Sequence, residues 1–208
     1  MRLLVLGATG PTGRALIDVA LKSGDAVTAL ARNPAALGEL SDRVTIVQGD
    51  ATSEREVAGA MRGQDAVISA LGRGNSLSAD TLFSRAATAV IAAAGQENVS
   101  RLVWMSSFGV GDTFASAGLV QKFLFRTMMR GIYADKAIAD AAIRASGLDW
   151  TLVYPGALTK GPAKGAYRVA DRIAMKGLPN ISRADVAGFM HRAAHDREWI
   201  RRNAVIVD

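Results

Sequence analysis

Cysteine is absent from the 208 residues, which excludes disulfides, thiolate metal sites and a cysteine nucleophile. Aromatic residues are scarce at 6%. The core must therefore be built mainly from aliphatic side chains, and the plentiful alanine and valine suit close packing of helices on a sheet. No run reaches the roughly 18 apolar residues that a spanning helix needs. Leu3-Leu4-Val5-Leu6 is cut short by glycines and leads into a loop pattern rather than a cleavage region, so no membrane contact and a cytoplasmic location are expected. Histidine is nearly absent too. His191 and His195 have the spacing that puts two ligands on one helix face, but no third ligand is evident in sequence and arginines flank both, so no metal is expected.

Charge is not lacking. Lys and Arg number 25 against 19 Asp and Glu, a net +6. The basic residues are dispersed, however, and the densest group (Arg192, Arg197, Arg201, Arg202) is interleaved with Asp196 and Glu198. No aromatic-basic motif accompanies it, so a solvated basic surface that attracts an anionic ligand is expected, and no nucleic acid.

Short β-branched runs alternate with helical patterns. Strands are expected at Arg2–Leu6, Ala26–Ala31, Val44–Gln48, Ala66–Ala70, Leu102–Met105 and Trp150–Tyr154. Helices are expected at about Thr12 to Ser23, Ser53–Met61, Asp80–Ala94 and Asp135 to Ala145. Ser53 and Glu56 have capping-box spacing, and Gly147 is expected to close the long helix as a left-handed cap. After Tyr154 come a loop-rich stretch, a short strand near Ala166–Ala170, a helix capped by Ser182 and a closing strand at Ala204–Val207. This order predicts an α/β fold: a doubly wound, mainly parallel sheet of Rossmann type, one domain over residues 1–208 with a small C-terminal substrate-side region.

The informative constellation is strand, then Gly7-Ala8-Thr9-Gly10-Pro11-Thr12-Gly13, then helix. A pyrophosphate must come close to backbone amides at a helix N-terminus, and side chains at the turn would block it. Gly7 suits the sharp turn, Gly10 the ligand's approach and Gly13 tight packing, with Thr9, Pro11 and Thr12 completing the loop. The spacing is one residue longer than G-x-G-x-x-G. At the end of the second strand an acid would hold the NAD ribose, whereas Thr28-Ala29-Leu30-Ala31-Arg32-Asn33-Pro34 carries none. Arg32 is the candidate clamp for a 2′-phosphate, with Thr12 and Arg14 as helpers, so the expected cofactor is NADP(H); the bland alternative makes Arg32 a surface loop residue. Asp50 and Ala51 follow the third strand; Asp50 either accepts from the adenine amino group or caps the next helix. Ala70, Leu71 and Gly72 follow the fourth and can lie against the adenosine ribose.

Together these residues resemble the atypical short-chain dehydrogenase/reductase superfamily, and within it the biliverdin IXβ reductase/flavin reductase and NmrA-like group. Gly63-Gln64-Asp65-Ala66-Val67-Ile68, Ser146-Gly147-Leu148, Gly165-Ala166-Tyr167 and Ser182-Arg183-Ala184-Asp185-Val186-Ala187 carry the likeness as well. The resemblance implies a serine beside the nicotinamide at the end of the fifth strand. Ser107 matches it as the catalytic candidate, with Ser106 among the cofactor contacts; both can equally satisfy backbone groups at a strand end. It also implies contacts from Lys136 to the nicotinamide ribose and from backbone groups at Pro155-Gly156-Ala157 to the carboxamide. Lys136 reads otherwise as an exposed helix lysine. The superfamily's Tyr-x-x-x-Lys pair is not reproduced, because Tyr133 and Lys136 are three positions apart.

The functions implied are an NADPH-dependent reductase passing hydride to a conjugated acceptor (flavin, linear tetrapyrrole or quinone), a non-catalytic NADP(H) sensor of NmrA-like type, or an epimerase-like enzyme. Trp104, Phe108 and Phe114 are candidate walls for a planar acceptor.

Overall fold

The computed structural model describes residues 1–73, 81–116, 129–174 and 179–208. Eight strands form one sheet in the order β3-β2-β1-β4-β5-β6-β10-β8. They are β1 (Arg2–Leu6), β2 (Ala26–Ala31), β3 (Thr45–Gln48), β4 (Ala66–Ser69), β5 (Arg101–Met105), β6 (Asp149–Pro155), β8 (Arg168–Ala170) and β10 (Arg202–Val207). Every pairing is parallel except β8 on β10, so the expected doubly wound sheet is present with one antiparallel edge. A second sheet joins β7 (Ala157–Thr159) to β9 (Asn180–Ser182), two three-residue strands too short to stand out in the sequence.

Helices cover both faces, because strands β1, β4 and β5 are apolar on both sides. On one face α2 (Glu54–Met61), α3 (Leu82–Glu97) and α4 (Arg130–Ala145) pack over Leu4, Val67, Leu102, Trp104 and Tyr154. On the other, α1 (Pro11–Lys22) and α5 (Arg183–His195) cover Leu3, Val5, Ile68, Val103 and Ile206. Small residues on α3 (Ala86, Ala87, Ala89, Ala93) let it approach its neighbours closely, as the alanine-rich composition implies.

Several local expectations are corrected. Helix α3 starts at Leu82 and runs to Glu97, while Asp80 lies outside the described residues. Helix α4 begins at Arg130, more than a turn before Asp135, because Ile132 already contributes to its buried face. The Ser53 side chain makes no cap; Glu56 instead accepts the Asp50 N–H at 2.7 Å, anchoring the loop rather than the helix end. Gly147 is not left-handed, since α4 ends at an extended Ser146 whose hydroxyl donates to the Ile143 carbonyl at 2.7 Å. Ser182 does cap α5, accepting from Asp185 N–H at 2.9 Å.

Glycine is required where β1 turns into α1. Gly7 has φ +75°, and a Cβ there would lie 2.6 Å from the Ala70 carbonyl oxygen. At Gly13 a Cβ would overlap the Gly7 carbonyl oxygen and lie 2.9 Å from Ala8 Cα. All these neighbours are backbone atoms, so relief requires moving the helix off the strand. Gly13→Ala is therefore expected to destabilise the fold by about 1–3 kcal/mol or more, through overpacking. The check is the urea unfolding midpoint, and an unchanged midpoint would contradict this packing.

Candidate functional site

Because β1, β4, β5 and β6 are adjacent and parallel, the loops after them line one edge of the sheet, at the strands' carboxyl ends. Gly7–Gly13, Ala70–Gly72, Ser106–Ser107 and Pro155–Gly156 are thereby brought into one row. Ligands in such sheets bind at this edge.

The first turn of α1 fits an anionic group. Gly10 is its extended N-cap, φ −77° and ψ 159°, with no side-chain hydrogen bond, and Pro11 opens the helix. A Cβ at Gly10 would meet only the Gly7 carbonyl oxygen, at 3.3 Å, so the space above it is open. The helix dipole and unblocked amides face that space. Gly7 and Gly13 shape the turn, while Gly10 leaves room for a ligand. Thr12 is buried, and Thr9 and Pro11 are exposed at the loop surface.

Arg32 is exposed directly after β2, and its charge reaches Asp50. Arg14, a sequence candidate beside it, is already engaged: it donates to the Thr9 carbonyl at 3.3 Å and to the Ala36 carbonyl, and pairs with Glu39. It braces the glycine loop against the 3-10 segment Pro34–Leu40. Asp50 accepts the Thr52 N–H at 2.8 Å, a turn ahead of the helix rather than the helix cap considered as its alternative. That bond, aided by the Arg32 and Arg85 charges and opposed by burial, holds its carboxyl below the usual range. Ala51 is half-buried next to it. Ala70 and Leu71 are buried under Gly7, with Gly72 beyond them.

At the end of β5 the structure joins the sequence candidates Ser106, Ser107 and Lys136 to Asp140, Tyr154 and Arg144, which sequence reasoning missed. The Lys136 ammonium, 6% exposed, donates to Ser107 Oγ at 2.7 Å and to the Ser106 carbonyl at 3.2 Å. It also lies 4.6 Å from the centre of the Phe83 ring. Lys136 is therefore not the exposed lysine of the bland reading. Burial pulls its pKa from 10.5 to about 8, against the raising influence of Asp140 and Asp135.

One turn on, Asp140 is fully buried and accepts from Ser106 Oγ at 2.8 Å and from the Tyr154 hydroxyl at 2.9 Å. Its other oxygen, Oδ1, has no hydrogen-bond partner among the described residues. Burial raises the Asp140 carboxyl and, more strongly, the Tyr154 phenol. Arg144, a further turn along, donates to the Tyr154 oxygen at 2.7 Å and to Asn203 at 3.2 Å. Asp135 points the other way, accepting the Phe83 and Ser84 N–H groups at 2.8 and 3.1 Å and so capping α3. The signal was present as Lys136, Asp140 and Arg144, at successive four-residue steps on the inward face of a helix.

Other candidates fall out of the site. Tyr133 donates to the Phe108 carbonyl at 3.2 Å, and burial pushes its phenol up to about 12. The residue four before Lys136 is Ile132, a buried apolar side chain. Trp104 and Phe108 are core residues, 0% and 4% exposed, rather than walls of a pocket. Gly156 is small because a Cβ would lie 2.6 Å from the Pro179 carbonyl oxygen. The backbone donors there are already taken: Gly156 N–H by Ile206 at 3.1 Å and Ala157 N–H by Pro179 at 2.8 Å. The Pro155 carbonyl accepts from Phe108 N–H at 3.1 Å. This strand end is thus held by β10, by Phe108 and by Pro179 beside the second sheet, and the N–H groups of Gly156 and Ala157 are engaged within the protein.

Residues 7–197, from the first glycine of the loop to the end of α5, match the family described as NAD(P)H-binding. The chain belongs to this NAD(P)H-binding family. It is 30% identical over 190 residues to the oxidoreductase stcQ of Emericella nidulans, covering 81% of this chain and 69% of that one. It is 28% identical over 193 residues to YhfK of Bacillus subtilis, described as an uncharacterized sugar epimerase, with 90% and 85% covered. ChuY of Escherichia coli O157:H7, an anaerobillin reductase, superposes with a TM-score of 0.83 at 25% identity, covering 100% of this chain and 97% of that one. A nicotinamide cofactor on an oxidoreductase-like fold is the common ground, and the carboxyl edge described above fits it. No helix among the described residues is long and apolar enough to cross a membrane.

Proposed function

We propose that the protein is an NADPH-dependent reductase that passes hydride to a conjugated acceptor such as a flavin, a linear tetrapyrrole or a quinone. The observation that carries this reading is the buried Lys136 ammonium on Ser107 Oγ at the carboxyl end of β5. The anaerobillin reductase and the oxidoreductase among its relatives support the reaction class.

The cofactor supplies the hydride; this chain's residues bind, orient and deliver a proton. Gly7–Gly13 and the α1 N-terminus receive the pyrophosphate, and Ala70–Gly72 lie along the adenosine side. Ser107 accepts from Lys136, so its own hydroxyl hydrogen is available to an acceptor that gains negative charge as hydride arrives. Lys136 then restores the serine's proton. One hydride and one proton complete a two-electron reduction. An epimerase would need a tyrosinate to remove a hydroxyl proton; Tyr133 is tied to Phe108 with its phenol raised to about 12, and Ile132 occupies the usual register.

Cofactor choice rests on Arg32. Arg14 is spent on Glu39 and the loop, so Arg32 is the exposed cation that follows β2 to meet a 2′-phosphate. Arg32→Ala is expected to weaken NADPH by about 1.5–3 kcal/mol, the worth of a charge-assisted hydrogen-bonded pair, and NADH little. Titration of both cofactors checks this, and equal losses would contradict the assignment.

The reductase reading is tested with NADPH and a panel of flavins, quinones and biliverdin across pH. A donor of pKa about 8 is protonated below that value and loses its proton above it. Accordingly kcat/KM should fall about tenfold per pH unit above about 8. Lys136→Met should remove this alkaline limb and lower the rate by about a hundredfold or more. Tight NADPH binding without turnover of any acceptor would point instead to a sensor, and an unchanged limb in Lys136→Met would remove Lys136 as the donor.

A further inference from the structure

At the amino-terminal edge of the sheet, opposite the nicotinamide site, the two histidines meet a third group from far away in sequence. Asp25 lies between α1 and β2, buried at 6% exposure, and its Oδ2 is 2.6 Å from His191 Nε2 and 2.9 Å from His195 Nε2. The two rings are 4.6 Å apart at 49°, and both present the same nitrogen to the same oxygen. Asp25 Oδ1 accepts from the Met1 amino group at 2.5 Å. Burial alone would raise the Asp25 carboxyl; the hydrogen bonds from Met1, His191 and His195 outweigh it and hold the carboxyl at about 2.

We propose that Asp25, His191 and His195 form a binding site for a zinc-type divalent transition-metal ion. Two imidazoles four positions apart on a helix with one carboxylate is a nitrogen–oxygen donor set suited to zinc, leaving a fourth position for water. All the ligand atoms lie within 4.8 Å of one another. Bonds of about 2.0–2.2 Å in a tetrahedron need donors about 3.3 Å apart. The carboxylate must therefore draw away from His191 by about 0.7 Å and from His195 by about 0.4 Å, within reach of small side-chain rotations. Binding an ion requires each Nε2 to turn its lone pair toward the metal, with the ring's hydrogen on Nδ1.

Rigid elements hold the ligands. Asp25 N–H is bonded to the Ala20 carbonyl at 3.0 Å at the end of α1, and both histidines ride on α5. The ion's route of entry is on the His195 side, whose side chain is 36% exposed against 9% for His191. The site is separate from Ser107 and the glycine loop, so an ion there ties the end of α5 to the α1–β2 turn and takes no part in hydride transfer. It stands whether or not the reductase reading does.

The test is calorimetric titration of chelator-treated protein with Zn²⁺, with Co²⁺ absorption as a second readout of a nitrogen–oxygen ligand set. One ion per chain is expected, with a thermal midpoint that rises with zinc because only the folded state assembles the ligands. His195→Ala, at a partly exposed position, and Asp25→Asn should each weaken zinc about tenfold or more and abolish the thermal shift. Circular dichroism with chelator present verifies that both variants are folded. No stoichiometric binding, or binding of unchanged affinity in folded His195→Ala, would overturn the site and leave the cluster as a charge-paired clamp.

Discussion

The contact between two backbone turns organises this molecule: Gly7 lies under the Ala70 carbonyl, and Gly13 on the Gly7 carbonyl, at separations no side chain can share. Through it the N-terminus of α1 is set against the carboxyl ends of β1 and β4. The helix dipole, open space above Gly10 and small residues after β4 thus become parts of one surface. The rest of the edge follows from strand order, since β5 and β6 bring Ser107 and Tyr154 alongside.

Behind that surface the chain buries charge, which proteins do only with partners present. Lys136, Asp140, Tyr154 and Arg144 are tied to one another through Ser106, Ser107 and direct hydrogen bonds, mostly on α4. Desolvation acts oppositely on the two signs, lowering Lys136 and raising Asp140, so both are drawn toward neutrality. Among the described residues Asp140 Oδ1 has no hydrogen-bond partner, in keeping with a carboxyl drawn toward its neutral form. A lysine poised near pH 8 beside a serine is useful for moving a proton, and the surrounding network keeps its geometry.

How far these features were legible in the sequence depended on their range. Strands β1, β2, β4, β5, β6 and β10 showed as apolar runs, and the glycine loop announced both turn and ligand, because backbone sterics are local. What failed depended on a competing bond nearby or on partners far away in sequence. Glu56 has capping-box spacing yet turns to Asp50, and Gly147 ends a helix without the left-handed cap because Ser146 does the work. The smallness of Gly156, named from the resemblance as a cofactor contact, is also demanded by Pro179 beside a sheet of two tiny strands, which the sequence did not show. Asp25 meets His191 and His195 across most of the chain length. No periodicity links such positions, and only the packing of α1 on α5 brings them together.

The central claim, that Ser107 faces the reacting acceptor while other residues hold the cofactor, is tested most directly by Ser107→Ala. Steady-state reduction of a competent acceptor should fall about tenfold or more, the worth of one well-placed transition-state donor, while NADPH affinity measured by titration stays near wild type. Undiminished turnover, or a loss confined to NADPH affinity, would contradict the account.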